Sequence, residues 1–142
     1  MADPLIVKIC GIKTLALLDV AIDAGADIVG FMHVERSPRY IDLETLTELI
    51  SAARGRVQSC VVLVNPDNSS VMEIAALSPD WIQLHGPETP HRVEAIRDEA
   101  GIEIIKASGA STTDVAERIL ERVAELEAEL PEGVELTVVR DA

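Results

Sequence analysis

Eight residues of this chain combine a reactive or charge-bearing side chain with a place at or just beyond the end of an apolar run: Cys10, His33, Arg36, Arg39, Asn65, His85, Lys106 and Asp141. Cysteine, histidine and aspartate can carry a proton at near-neutral pH once their surroundings tune them. Arginine and lysine can hold an anion, and arginine suits a carboxylate because its guanidinium donates in parallel pairs. Any anionic ligand must be held by such side chains or by backbone N–H groups at helix N-termini. Cys10 and Cys60 both lie inside apolar runs, with no metal-ligand spacing. They read as reduced thiols.

Something must position these side chains, and the pattern around them repeats. Strands are expected at Leu5–Cys10, Asp27–His33, Val57–Asn65, Trp81–His85, Ile102–Ala107 and Val134–Val139. Helices are expected between them. Thr14 and Gly25 bound the first, Asp42 caps the second, and Ser70 with Glu73 has the capping-box spacing for the third. Thr89 with Pro90 opens the fourth and Gly101 stops it. The fifth is expected from Thr112 to Leu130, with Ile119, Val123, Leu126 and Leu130 on one face. Alternating strands and helices at a period of about 20–30 residues mean βα units and a parallel sheet. In such folds functional residues gather at the C-terminal ends of strands and in the loops that follow.

The fold class is therefore α/β. The expected form is an incomplete (β/α)8 barrel of about six strands and five helices, since a whole barrel takes about 250 residues and this chain has 142. An open doubly wound sheet is the alternative. A single domain is expected over residues 1–142, with barrel-like units over 1–111 and a more regular helix-plus-strand tail over 112–142. That tail reads either as an ordinary long amphipathic helix or as a divergent or engineered segment. Strands one and six would then be open edges, and a homo-oligomer covering them is expected.

Aromatic residues make up only 2% of the chain, so its core must be aliphatic. The formal charge of −13 disfavours nucleic acid and anionic membranes as partners. No apolar run approaches the ~20 residues that span a bilayer. The first residues lack the basic start and apolar stretch of a secretion signal, so a cytoplasmic location is expected.

Six segments, in order, carry a resemblance. They are Val7-Lys8-Ile9-Cys10-Gly11-Ile12-Lys13-Thr14, Ala24-Gly25-Ala26-Asp27 through Gly30-Phe31, Ser37-Pro38-Arg39-Tyr40-Ile41, Val64-Asn65, Ile82-Gln83-Leu84-His85-Gly86 and Ile105-Lys106-Ala107. Together they resemble the phosphoribosylanthranilate isomerase family of tryptophan biosynthesis, over about residues 7–111. The resemblance implies an aldose–ketose isomerase that converts N-(5-phosphoribosyl)anthranilate to carboxyphenylamino-deoxyribulose phosphate without a cofactor or metal. On that reading Cys10 is the general base, and Arg39 holds the anthranilate carboxylate. His85 lines the pocket or is structural, and Lys106 positions substrate or is an ion-pair partner. Asp141 stands where the family's general acid would be. Cys60, His33 and His91 read as bland, and Arg36 as a solvated loop residue.

The family's phosphate-holding loops follow strands seven and eight, which have no counterpart in this sequence. A non-catalytic partial-barrel scaffold is therefore the competing reading. A different phosphosugar isomerase or synthase on the same scaffold is a third, and Cys10 with Arg39 argues against it.

Overall fold

The computed structural model describes residues 5–107 and 135–140. In chain order the elements are β1 (Leu5–Cys10), α1 (Leu15–Asp23), β2 (Ile28–Met32), α2 (Leu43–Ala53), β3 (Gln58–Leu63), α3 (Asn68–Ala75), β4 (Trp81–Leu84), α4 (Pro90–Ala100), β5 (Glu103–Lys106) and β6 (Glu135–Arg140). The expected fifth helix and Asp141 lie outside the described residues.

Each described helix begins where a short polar side chain takes up an orphan backbone N–H. Thr14 accepts from Leu17, Asp42 from Thr45, Asp67 from Ser70 and Thr89 from Arg92. Each such cap is worth about 1 kcal/mol. The third corrects the sequence reading. Ser70 supplies the N–H and not the accepting oxygen, because Asp67 caps three residues earlier and α3 starts at Asn68.

Strands β1 to β5 lie side by side in sequence order, each parallel to the next. A doubly wound sheet would reverse its order at a switch point, and this one does not. Helices α1 to α4 share one face. Leu18, Leu46, Leu49, Ile50, Val71, Ile74 and Ile96 form a single apolar cluster with Ile9, Val29, Phe31, Val61, Leu63, Ile82 and Leu84 of the strands. The other face of the sheet carries Lys8, Cys10, Gly30, Met32, Cys60, Val62, Gln83 and His85. Both faces are buried through the middle of β2 and β3, which explains runs with no polar alternation. Helices α1 to α4 on one side of a sequential parallel sheet make a curled half-barrel, with the face opposite them as the would-be lumen.

β6 departs from the expectation. It pairs with β1 and runs antiparallel to it, with Cys10 opposite Glu135 and Leu5 opposite Arg140. The sheet thus has five parallel strands and one antiparallel strand. β1, expected as an open edge, is flanked on both sides, and β5 and β6 are the outer strands.

The bottom of the sheet is tied by two carboxylates in equivalent places. Asp27, just before β2, accepts from the Val7 N–H at 2.8 Å. Asp80, just before β4, accepts from the Ser59 N–H at 2.9 Å. No helix among the described residues is long and apolar enough to cross a membrane.

Candidate active site

Cys10 is the last residue of β1 and is 5% exposed. Gly11 follows with φ +90°, a left-handed backbone that turns the chain sharply after the thiol. The N–H groups of Gly11 and Ile12 both donate to the Gly30 carbonyl, which pins this turn to β2. Gly30 also seats the sulfur. A Cβ built on Gly30 would lie 2.7 Å from Cys10 Sγ and 3.1 Å from Cys10 Cβ. The thiol therefore leans across the neighbouring strand, and its S–H points to Met32 Sδ at 3.7 Å.

Arg39 sits in the loop after β2. Its N–H donates to Ser37 Oγ at 3.1 Å, and its side chain is half-buried. The loop is closed at its root by Ile41 N–H donating to Met32 O, with Tyr40 bridged to Met32. Lys13, from the loop after β1, donates to the Pro38 carbonyl at 3.3 Å. The loop holding Arg39 is thereby fastened to the loop that follows Cys10.

His85 is exposed just past β4, with Nδ1 3.5 Å from Gln83 Nε2 on the same face. Lys106 closes β5 and is heavily engaged. Its ammonium donates to Gly86 O at 2.6 Å and to Glu88 Oε1 at 3.0 Å. Glu88 is a residue that sequence reasoning missed. Its side chain is 1% exposed, and it also accepts from Asn65 N–H at 2.7 Å and Gly86 N–H at 2.9 Å. Burial works against this carboxylate, but the backbone N–H groups and Lys106 outweigh it and hold its pKa below the ordinary glutamate value. One carboxylate thus gathers the C-terminal ends of β3, β4 and β5. Asn65 adopts φ +46° to present its N–H there.

A cavity of about 540 Å³ opens between the loops after β2 and β3. His33, Arg36, Tyr40, Asn65 and Ser70 are among its walls, whereas Cys10, Arg39, His85 and Lys106 are not. His33 Nδ1 donates to the Ile41 carbonyl at 2.9 Å. His33 and Arg36, read as bland from sequence, are cavity residues.

Two further groups lie below the rim on the lumen face. Cys60 is fully buried, and burial above all pushes its thiol up to about 12. It is inert at neutral pH, as its mid-strand place suggested. Lys8 is also fully buried, and its Nζ has no hydrogen-bond partner among the described residues. Sequence reasoning passed over Lys8, although its parity with Cys10 in a strand was the available signal.

Comparison with known proteins follows the same segments. Residues 7–127 match the family model for N-(5'-phosphoribosyl)anthranilate (PRA) isomerase. The N-(5'-phosphoribosyl)anthranilate isomerase of Azorhizobium caulinodans is 47% identical over 102 residues, 71% of this chain and 45% of that protein. The one from Rhodopseudomonas palustris is 38% identical over 141 residues, 92% of this chain and 62% of that protein. The crystal structure of the Thermotoga maritima phosphoribosyl anthranilate isomerase superposes with a TM-score of 0.68 at 32% identity, covering 87% of this chain and 58% of that one. A phosphoribosyl anthranilate isomerase in complex with reduced 1-(o-carboxyphenylamino)-1-deoxyribulose 5-phosphate gives the same score and identity, over 87% and 61%. This chain spans about half the length of curated relatives it matches. With a family model covering most of its residues and the half-barrel superposing on solved members, the chain belongs to the N-(5'-phosphoribosyl)anthranilate isomerase family.

Proposed function

We propose that this chain supplies the first half of an isomerase site for the Amadori rearrangement of N-(5'-phosphoribosyl)anthranilate, in the cytoplasm and within tryptophan biosynthesis. The observation that carries the reading is Cys10. It is a buried thiol at the C-terminal end of β1, seated on Gly30 and followed by a left-handed glycine turn. The ligand of the solved relative is an analogue of the reaction's ketose product.

In the proposed reaction an acid gives a proton to the ribose ring oxygen. The C1–O bond breaks, and the ring opens to a Schiff base on the anthranilate nitrogen. Cys10 thiolate then removes the C2 proton. The C–H electrons form a C1–C2 double bond as the iminium nitrogen takes up its electron pair, and ketonisation completes the aminoketose. Arg39 holds the anthranilate carboxylate through its guanidinium. His85 borders the substrate, and Lys106 fixes the rim beside it through Gly86 and Glu88. Asp141, the proposed acid, lies outside the described residues.

The reading is tested by following the substrate's anthranilate fluorescence with the chain and with Cys10→Ala. Turnover that falls by about 10²-fold or more in Cys10→Ala supports it, the lower range expected for loss of a general base. No turnover from a folded chain supports a second reading, a partial-barrel scaffold. One observation favours that alternative: β6 runs antiparallel along the flank of β1, where a complete barrel would place a parallel strand.

A further inference from the structure

We propose that Lys8 is the positioning residue that keeps Cys10 in its basic form, an electrostatic partner buried one layer beneath the thiol. The proposal rests on Cys10 being the base. Lys8 and Cys10 are two residues apart on β1, so both side chains leave the same face, about 6–7 Å apart along the strand. That face is the one opposite α1 to α4, because Ile9 between them packs into the helix-side cluster.

The neighbouring strands complete the argument. Cys10 is in register with Gly30 of β2, and Gly30 with Cys60 of β3; on the other flank Cys10 is in register with Glu135 of β6. The cationic charge of Lys8 draws the Cys60 thiol down while Cys10 pushes it up. Both groups therefore lie within electrostatic reach of the same sulfur. Lys8 is 0% exposed, and among the described residues no hydrogen-bonded carboxylate neutralises its Nζ. A buried cation without a partner is costly, and its field is little screened by water. Loss of the Cys10 S–H proton to solvent base breaks S–H and leaves a thiolate whose charge the Lys8 ammonium on the same face opposes. Cys60 does not compete, since burial holds its thiol protonated far above neutrality.

The test is the rate of iodoacetamide alkylation of the folded full chain at pH 7, read at Cys10 by peptide mass spectrometry. It requires no turnover. Lys8→Met should slow alkylation by about tenfold or more, because the thiolate is the reacting form and loses its cationic neighbour. Lys8→Arg, which keeps the charge, should restore the rate to within about threefold. If Lys8→Met does not fold, Lys8→Gln makes the same comparison. A rate unchanged in the neutral variant, or equally slowed in both variants, overturns the proposal. A charge-dependent rate in a chain that never turns over substrate would leave Lys8 standing and remove only the isomerase reading.

Discussion

Gly30→Ala examines the seating of the thiol directly. Gly30 is buried in β2, and the added methyl would meet Cys10 Sγ at 2.7 Å, Cys10 Cβ at 3.1 Å and Cys10 Cα at 3.2 Å. Comfortable contact begins at about 3.5 Å, so the sulfur overlaps by nearly 1 Å. Overpacking of this kind costs about 1–3 kcal/mol. A Gly-to-Ala change returns about 0.4–1 kcal/mol through the unfolded chain. The expected net loss is about 1–2 kcal/mol, measured by urea denaturation. The relief available is rotation of the thiol or separation of β1 from β2, and a displacement near 1 Å lowers turnover by about 10²-fold. A double-mutant cycle isolates the sulfur. In a Cys10→Ala background the Sγ overlap vanishes while the backbone contacts stay, so Gly30→Ala should cost less there by about 1 kcal/mol. Equal costs in the two backgrounds would show that the sulfur does not rest on Gly30, and the account of how Cys10 is aimed would be wrong.

Two other predictions concern the frame. Glu88→Gln should destabilise the fold by about 2 kcal/mol at pH 7, because an amide cannot accept as the carboxylate does from two N–H groups and an ammonium, with the partly exposed Lys106 end discounted for screening. The folded pKa of Glu88 is depressed, so its contribution is full above the ordinary glutamate value and fades as pH falls through the lower folded value. Melting curves of the two proteins should converge in acid, and a gap that persists there would refute the clamp. Asp80→Ala should cost about 1–3 kcal/mol by leaving the buried Ser59 N–H unpaired. A change below about 0.5 kcal/mol in urea would place that staple outside the stabilising contacts.

What the sequence revealed was local in origin. Thr14, Asp42 and Thr89 cap helices as read, because each signal lies within one turn of its effect. Asp67 was overlooked because Ser70 and Glu73 carry a competing signal three residues later. The Lys-Ile-Cys-Gly run ends a strand as expected, and five strands pair in parallel. The direction of β6 was not legible, since periodicity states which face a residue takes and not which way the strand runs beside a partner more than a hundred residues away. Glu88 was invisible for a related reason. Its role arises where three loops converge, and no spacing rule links Asn65, Gly86 and Lys106 to it. Lys8 was visible as a lysine in an apolar run, and only burial shows that its charge is unanswered.

The antiparallel pairing of β6 with β1 also bears on the order of assembly during synthesis. Strands β1 to β5 each find their partner one βα unit away, so the sheet can extend by short loop closures as the chain leaves the ribosome, N-terminal units first. The far flank of β1 follows a different schedule. Its partner begins at Glu135, so the nascent chain carries β1 with one row of backbone groups unpaired until residues 135–140 have been made. The strand that bears Cys10 is therefore made before β2 to β5 and enclosed after them.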